Sequence, residues 1–264
     1  MSQDERRSLV EALRRAQEAA FGPGEYVEQE SFVRASEILA LARQAAVDSA
    51  VSVLDLCCGI AGPGRFLTRE VGCSYVGVDA SASAIAVARE RAAGLPCCFV
   101  VAQIPPLPPG TFDVVLLLEA MLAFRDKETL VEAVSRALSP GGRFAFTFEE
   151  GLPLTEPERV RMPGADTVWL TPLDEMHALL ARAGLVVRRQ DDWSRSHRAA
   201  AQSLTDAYAG DATAIASRIG QRALDDLLAA HRLWAEWLAA GRVRKIAVVA
   251  ARPPRSASQQ ALGG

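Results

Sequence analysis

The chain has 264 residues, half of them hydrophobic, and a formal net charge of −3. This length suffices for one large domain or two small ones with a substantial buried core. The near-neutral charge gives no basic face of the kind that binds nucleic acid, and no apolar run is long enough to span a bilayer. The N-terminus is charged and lacks the apolar centre of a secretory signal, so we predict a cytoplasmic protein.

Short apolar segments alternate with amphipathic helical patterns along most of the chain. The seven predicted strands cover residues 51–56, 74–79, 98–102, 112–119, 143–148, 185–190 and 243–250, and helices are predicted between them at residues 63–70, 81–93, 127–138 and 173–183. Continuous runs such as "FDVVLLLEA" are typical of strands that are covered on both faces. "SPGGRF" and "AGLVV" supply glycines that end helices. The pattern predicts an α/β fold with a Rossmann-like, doubly wound, mostly parallel seven-stranded sheet.

Two regions do not follow this alternation. Residues 1–50 form a predicted helical segment, and residues 196–240 form a helical insertion between the α/β core (51–195) and the final strand (241–252). The tail, residues 253–264, is small and polar and is predicted to be disordered. One apolar stripe of the insertion recurs at helical spacing: Leu224, Leu227, Leu228, His231, Trp234 and Leu238. The stripe fits packing against the sheet domain or a partner helix, and it also fits a lid over a ligand.

The segment "VLDLCCGIAGPGRF", residues 53–66, combines a strand with a glycine-rich turn and the start of a helix. Such turns commonly hold the phosphates of a nucleotide at a helix N-terminus. Here Asp55 ends the strand, and its carboxylate would repel a pyrophosphate while favouring a cationic ligand. Asp79 ends the next strand, and its two oxygens can accept both hydroxyls of a ribose. The two acids together indicate a cationic ligand with a free ribose.

The five cysteines give no metal or redox motif. Cys57 and Cys58 are adjacent, as are Cys97 and Cys98, and Cys73 stands alone. None has the CxxC spacing of a zinc site or a redox dithiol. We therefore interpret them as buried packing residues and predict no metal.

Four segments together resemble the successive motifs of class I S-adenosylmethionine-dependent methyltransferases. They are "VLDLCCGIAGPGRF", "YVGVDAS", "FVVAQIPPLPPGTFDVVLLLEAMLAF" and "LSPGGRFAFTFEE", within residues 51–149. The resemblance implies S-adenosyl-L-methionine as cofactor and a small organic acceptor, as in the natural-product branch of that family. It also implies that residues 1–50 close over the cofactor. A homodimer is compatible with the sequence.

The resemblance implies cofactor contacts at the positions that match the family motifs. The methionine part would lie near Asp55, Cys57, Cys58 and Gly59, the ribose and adenine near Asp79, Ala80, Gln103 and Ile104, and the methyl group near Leu118 and Glu119. Two of these residues depart from the family pattern. Cys57 stands where a glycine is usual, and Gln103 stands where many members have an Asp, which should weaken the contact with adenine. Tyr26 has a hydroxyl that could reach the methionine carboxylate.

A catalytic base is needed only when the acceptor must lose a proton. Several relatives that methylate natural products have histidines shortly after the position of Glu119, and this chain has Ala123 and Phe124 there. The remaining candidates are Glu119, Glu149, Glu150 and His197, of which we select Glu119, Glu149 and His197. Their structural interpretations are, respectively, an acceptor for a backbone amide, a solvated loop, and a surface residue at a helix start.

The other two histidines, His177 and His231, are interpreted as structural. Trp169 and Trp193 are expected to face the same cavity as Glu119. Three functions stay open: a small-molecule methyltransferase, an enzyme of this fold that keeps the cofactor but catalyses a non-methylating step such as cyclisation, and a non-catalytic binding protein.

Overall fold

The computed structural model describes residues 3–254, and within them seven strands form one sheet. The strands are β1 (Ser52–Leu56), β2 (Ser74–Asp79), β3 (Cys97–Val101), β4 (Phe112–Leu117), β5 (Leu138–Glu150), β6 (Val186–Asp192) and β7 (Arg244–Ala251). Their order is β3-β2-β1-β4-β5-β7-β6, with β7 antiparallel to both of its neighbours and the other pairs parallel. The predicted fold class, a mostly parallel seven-stranded Rossmann-like sheet, is confirmed.

Helices cover both faces and one end of the sheet. They are α1 (Gln3–Phe21), α2 (Ala35–Gln44), α3 (Gly62–Val71), α4 (Ala82–Arg91), α5 (Lys127–Ala137), α6 (Glu156–Arg161), α7 (Leu173–Arg182), α8 (Ser194–Gly210), α9 (Ala212–Ile219) and α10 (Gln221–Ala240). Within the described residues no helix is long and apolar enough to cross a membrane. The predicted tail, from residue 255 onward, lies outside the described residues.

The apolar strands are buried on both faces, as their continuous Val and Leu runs predict. In β4, Val115 and Leu117 belong to the core on one side of the sheet, and Val114 and Leu116 belong to the core on the other. Successive side chains of a strand point to opposite faces, so only a sheet with two covered faces can bury all four. The sheet is therefore a rigid base for residues at its carboxyl edge.

One boundary differs from the prediction. The glycines of "SPGGRF" do not separate a helix from a later strand, because β5 already begins at Leu138 and pairs with Phe112. The register shifts between Phe112 and Val114, and Gly141 has a φ of +85°. A positive φ suits glycine because it has no Cβ. The two glycines thus lie at an irregular point within β5 and do not end a helix.

The insertion packs on the N-terminal helix and forms a separate small core. Ala16 and Phe21 of α1 are buried there with Leu204 and Tyr208 of α8 and with Leu224 of α10. Residues 22–34, between α1 and α2, are mostly irregular and run towards the turn after β1. The predicted helical segment, residues 1–50, therefore consists of the two helices α1 and α2 with a mostly irregular stretch between them.

Candidate active site

A cavity of about 200 Å³ lies at the carboxyl ends of β1, β2 and β4. Parallel strands of an α/β sheet bring their functional residues together at this edge. The lining includes six of the predicted cofactor residues: Asp55, Cys57, Cys58, Gly59, Asp79 and Leu118. Glu119 lines it as well, and residues 28–31 of the N-terminal segment close its other side. We call this space the small cavity.

Asp55 is a buried acid in the wall of the small cavity. Its side chain accepts a hydrogen bond from the Tyr75 hydroxyl, with Oη 2.6 Å from Oδ2. Burial, with a smaller contribution from the charge of Asp79, raises the pKa of Asp55 to about 7 against the lowering effect of the Tyr75 hydrogen bond. A cation in this cavity would favour the ionised carboxylate by direct attraction. The carboxylate is thus suited to a positively charged ligand group.

The turn after β1 uses left-handed backbone conformations at alternating positions. Cys57 has a φ of 57° and Gly59 a φ of 54°. A left-handed conformation costs a residue with a Cβ roughly 1–2 kcal/mol, which accounts for the glycine that the family pattern has at the position of Cys57. Strain of this kind is tolerated where the surrounding structure fixes it, as at ligand sites.

Gly62, at the start of α3, allows the N-terminal segment to lie directly on this turn. A Cβ added at Gly62 would overlap the carbonyl oxygens of Val27 and Glu28. Glu28 is also held by the guanidinium groups of Arg65 and Arg91. These contacts place residues 28–31 over the small cavity.

We predict that Gly62→Ala displaces the N-terminal segment and lowers the free energy of unfolding by about 1–3 kcal/mol, because backbone atoms have to move. Urea denaturation measures the change. Gly210→Ala is the control, since an added Cβ there would meet no atom within 4 Å and Gly210 has no positive φ. Equal stability of the Gly62→Ala variant and the wild type would contradict the contact.

Asp79 lines the small cavity and also binds the backbone on either side of it. Its Oδ2 accepts the Gly59 amide at 2.9 Å, and its Oδ1 accepts the Ser81 amide at 2.8 Å. The side chain therefore positions the turn after β1 as well as lining the cavity. Of the other residues assigned to adenine and ribose, Ala80 and Gln103 are exposed and Ile104 packs against the core. These three do not line the small cavity, and their role in binding adenine stays a prediction.

A larger cavity, of about 350 Å³, adjoins the small one under the insertion. It shares four lining residues with the small cavity: Glu30, Ser31, Ile60 and Glu119. The rest of its wall comes from α1, from the insertion helices α8 and α10, and from other segments. The helix α1 contributes Val10, Leu13 and Gln17, and the insertion helices contribute Leu204, Tyr208, Leu227, Ala230, His231 and Trp234. The other segments contribute Tyr26, Phe32, Leu122 and Glu149. The insertion thus covers the carboxyl edge of the sheet. We call this space the lid cavity.

Tyr26 was assigned to the cofactor but lines the lid cavity. Its hydroxyl donates to Gln17 Oε1 at 2.7 Å. Tyr26 is absent from the lining of the small cavity, where the other assigned methionine contacts lie. In this structure the hydroxyl is bonded to Gln17, and its contact with the methionine carboxylate stays a prediction.

Glu119 and Glu149 share the ammonium group of Lys245, a residue that the sequence analysis missed. Lys245 Nζ lies 2.6 Å from Glu119 Oε1 and 2.6 Å from Glu149 Oε1. The lysine is almost fully buried on β7, directly opposite Glu149 in the antiparallel pair of β5 and β7. Burial alone would lower the pKa of Lys245, but the two carboxylates raise it above its ordinary value.

Glu119 is held as a fixed, ionised carboxylate at the junction of the two cavities. Thr147 donates its hydroxyl to Glu119 Oε1 at 2.8 Å and accepts the Glu119 amide at the same distance. Burial would raise the pKa of Glu119, but Lys245 together with His197 and Thr147 outweighs it, and the pKa lies below the ordinary value. The backbone here has a φ of 59°, a strained conformation typical of functional sites. Such a carboxylate is a weak base but a fixed negative charge.

His197 is fully buried, so its interpretation as a surface residue is wrong. Its Nδ1 lies 3.6 Å from Glu119 Oε2 and its Nε2 lies 3.6 Å from Glu37 Oε2. It is not among the residues that line either cavity. Its position behind Glu119 suits a residue that orients this carboxylate, and direct contact with an acceptor would require movement.

Several other predicted positions also lie outside the two cavities. Trp193 stacks on His197 with ring centres 6.1 Å apart, and Trp169 lies beside the guanidinium groups of Arg125 and Arg159. The expectation that both tryptophans face the lid cavity is therefore wrong. Glu150 forms an ion pair with Arg244 at 2.8 Å. Cys98 is exposed on the edge strand β3, so the packing interpretation does not hold for it.

His231 lines the lid cavity, although the sequence analysis treated it as structural. Its Nδ1 lies 2.8 Å from the Leu227 carbonyl oxygen, which can only accept, so Nδ1 carries the proton. In the neutral ring Nε2 is then unprotonated. Burial lowers the pKa of His231 below its ordinary value, and the Leu227 bond opposes this only in part. His231 is thus a neutral base in the cavity wall.

Comparisons with known proteins agree with this geometry. Residues 53–142 match the family described as "Methyltransferase domain". Phosphoethanolamine N-methyltransferase 3 of Arabidopsis thaliana is 35% identical over 99 residues, which are 36% of this chain and 20% of that protein. The chain therefore spans only a fraction of the length of this curated relative.

Two solved structures show the same overall fold at low sequence identity. Phosphoethanolamine N-methyltransferase 2 of Haemonchus contortus, in complex with phosphomonomethylethanolamine and S-adenosylhomocysteine, has a TM-score of 0.76, with 22% identity over 91% of this chain and 56% of that chain. The [4+2]-cyclase SpnF has a TM-score of 0.69, with 20% identity over 83% of this chain and 82% of that chain. The resemblance drawn from the sequence is confirmed for residues 53–142, which match a methyltransferase domain, and the fold is the one that these solved structures share.

Proposed function

We propose that this protein is an S-adenosylmethionine-dependent methyltransferase that acts on a small organic acceptor in a biosynthetic pathway. The observation that carries the proposal is the pair of adjoining cavities, one lined by the methyltransferase motifs and the other enclosed by the insertion. Glu119 lies where the two meet. This arrangement separates a place for the cofactor from a place for the acceptor and keeps them in contact.

The residues of the small cavity fit the proposed cofactor. Asp55 offers a buried carboxylate for the ammonium or sulfonium charge, and Asp79 would accept the ribose hydroxyls. When bound, S-adenosylmethionine supplies an activated methyl group. Structural neighbours in complex with S-adenosylmethionine or S-adenosylhomocysteine support the choice of this cofactor.

The protein's own residues would contribute position, exclusion of water and a base. The insertion and the N-terminal segment enclose the acceptor, which orients it and removes solvent from the reacting atoms. The fixed carboxylate of Glu119 favours positive charge at the junction. His231 Nε2 would take the proton that the acceptor loses. Glu149 lines the acceptor cavity itself and shares Lys245 with Glu119, whereas His197 would act on the site through Glu119.

A second candidate function is a non-methylating reaction such as cyclisation. The fold shared with the [4+2]-cyclase SpnF favours keeping this alternative. A cyclase would need no proton acceptor, whereas the lid cavity presents His231.

The direct test is incubation with S-adenosylmethionine that carries a labelled methyl group, together with a panel of small amines, alcohols and phenols. Methyl transfer predicts label in an acceptor and an equal amount of S-adenosylhomocysteine. Binding of the cofactor with no transfer to any acceptor would favour the cyclase or a non-catalytic protein.

We expect Asp79→Ala to weaken S-adenosylhomocysteine binding by about 1.5–3 kcal/mol, or roughly 10- to 150-fold, because a charged acceptor for the ribose is lost. Calorimetric titration measures the dissociation constant. Asp113→Ala is the matched control, since Asp113 Oδ2 also accepts a backbone amide, that of Ser52, but lies outside both cavities. Unchanged affinity in Asp79→Ala would remove the ribose assignment.

A further inference from the structure

We propose that the lid cavity selects an acceptor that bears a protonated amine on a partly apolar skeleton and that carries no phosphate or carboxylate. This inference rests on the proposed function and names its substrate class. It also separates this chain from its relatives that act on phosphorylated amines. Charge, an unpaired oxygen and aromatic rings in the cavity wall support it.

The charged side chains of the cavity wall are all acidic. Glu30, Glu119 and Glu149 line the lid cavity, and the lining side chains that the structure describes include no lysine or arginine. The ammonium group of Lys245 lies behind the wall, 2.6 Å from both Glu119 and Glu149, so one positive charge is shared between these two acids. A cavity with this distribution attracts cations and repels anions.

Glu149 has spare capacity for a hydrogen-bond donor. Its Oε1 is bound to Lys245, but its Oε2 is buried with no hydrogen-bond partner among the described residues. Buried carboxylate oxygens are ordinarily paired, because an unpaired one has lost water without compensation. This oxygen is covered in the present structure, so a ligand ammonium group that reached it after a rotation of the Glu149 side chain would supply the missing donor together with the opposite charge.

Aromatic rings form much of the remaining wall. Tyr26, Phe32, Tyr208 and Trp234 line the cavity. The rings of Phe32 and Tyr208 each meet the His231 ring edge-on at 5.3 Å between centres. Aromatic faces attract an ammonium group by cation–π interaction and also bury an apolar skeleton. Carboxylates and aromatic rings together are the usual means of binding an organic amine.

Among the lining residues that the structure describes, an anionic acceptor group would meet no cationic side chain. Phosphate and carboxylate are bound in proteins by arginine or lysine side chains, or by backbone amides at helix N-termini. The described lining offers acids, aromatic rings, apolar side chains, Ser31, Gln17 and His231 instead. A phosphorylated amine would therefore bind more weakly than the same amine without its phosphate.

Three probes of equal skeleton and different charge test this inference. 2-Phenylethylamine, 2-phenylethanol and phenylacetate are titrated into the full-length protein saturated with S-adenosylhomocysteine, with dissociation constants from ligand-observed NMR. We expect the amine to bind about tenfold more tightly than the alcohol, as one charged hydrogen bond implies, and phenylacetate to bind most weakly. Phosphoethanolamine is expected to bind more weakly than ethanolamine.

Two variants test which acidic side chains cause the preference for the amine over the alcohol. Glu149→Gln and Glu30→Gln should each reduce the advantage of the amine over the alcohol, while Glu150→Gln, whose side chain pairs with Arg244 outside the cavity, should leave it unchanged. Glu30 is exposed, so its variant is informative even if Glu149→Gln folds poorly.

Phenylacetate binding as tightly as the amine, no binding of the amine, or an amine preference that survives both variants would overturn the inference. The S-adenosylhomocysteine titration that precedes each experiment tests the proposed function separately. If that ligand fails to bind, the proposed function is lost, and the three probes still report the charge preference of the cavity in the ligand-free protein.

Discussion

Replacing Lys245 by Met is expected to lower the free energy of unfolding by about 3–5 kcal/mol, because it leaves two buried carboxylates without their shared counter-ion. Lys245 is 2% exposed, and both Glu119 and Glu149 lie 2.6 Å from its Nζ. Urea denaturation at neutral pH measures the loss from the transition midpoint and slope.

The preceding residue offers a matched control. Arg244 also pairs with an acid of β5, Glu150, but its side chain is 42% exposed, so solvent weakens that pair. Arg244→Met should therefore change stability by no more than about 1 kcal/mol. Adding Glu149→Gln to Lys245→Met should recover part of the loss. A Lys245→Met protein as stable as Arg244→Met would show that the buried cluster is not formed.

Replacing His231 by Gln is expected to reduce kcat by about 10²- to 10⁴-fold for an acceptor that must lose a proton, which is the usual contribution of a positioned base. Gln cannot accept the proton at neutral pH but can keep a hydrogen bond to the Leu227 carbonyl. Steady-state kinetics with S-adenosylmethionine and an acceptor identified in the panel measures the effect. His177→Gln is the control, because His177 is half-buried, lies outside both cavities and bonds to Gln190 at 2.8 Å.

The pH profile distinguishes a base from a packing residue. Protonated His231 cannot accept a proton, so the wild-type rate should fall as pH decreases through the pKa of His231, which burial places below about 6.5. Burial raises the pKa of Tyr208 to about 12, so this hydroxyl does not titrate in that range. The His231→Gln variant should lose this acidic limb. A low rate with an unchanged pH profile would point to packing alone.

The sheet and the cofactor motifs were predictable because their signals are local. A run such as "FDVVLLLEA" identifies a strand covered on both faces, and Asp55 and Asp79 follow β1 and β2 at the edge where parallel strands end. The same reasoning located the insertion before β7 and its apolar stripe. The structure adds that part of this stripe lines a cavity, namely Leu227, His231 and Trp234, although Leu227 and Trp234 also pack against neighbouring hydrophobic cores.

The acceptor side depends on long-range contacts that no local pattern contains. Lys245 is separated from Glu149 by nearly a hundred residues and meets it only through the antiparallel pairing of β5 and β7. A lysine in "RKIAVVA" has the same sequence signal whether it is exposed or buried. His197 and His231 lie on helices whose faces are decided by packing against α1 and residues 30–32. The helical spacing of the apolar residues predicted the stripe, but it did not predict which residues the stripe would contact.

A crystal structure of the protein with S-adenosylhomocysteine tests the central claim most directly. The account predicts that the amino-acid part of the ligand lies in the small cavity beside Asp55, that Asp79 accepts its ribose hydroxyls, and that its sulfur faces the lid cavity at Glu119. A sulfur open to bulk solvent, or a ligand bound away from the carboxyl ends of β1 and β2, would contradict it.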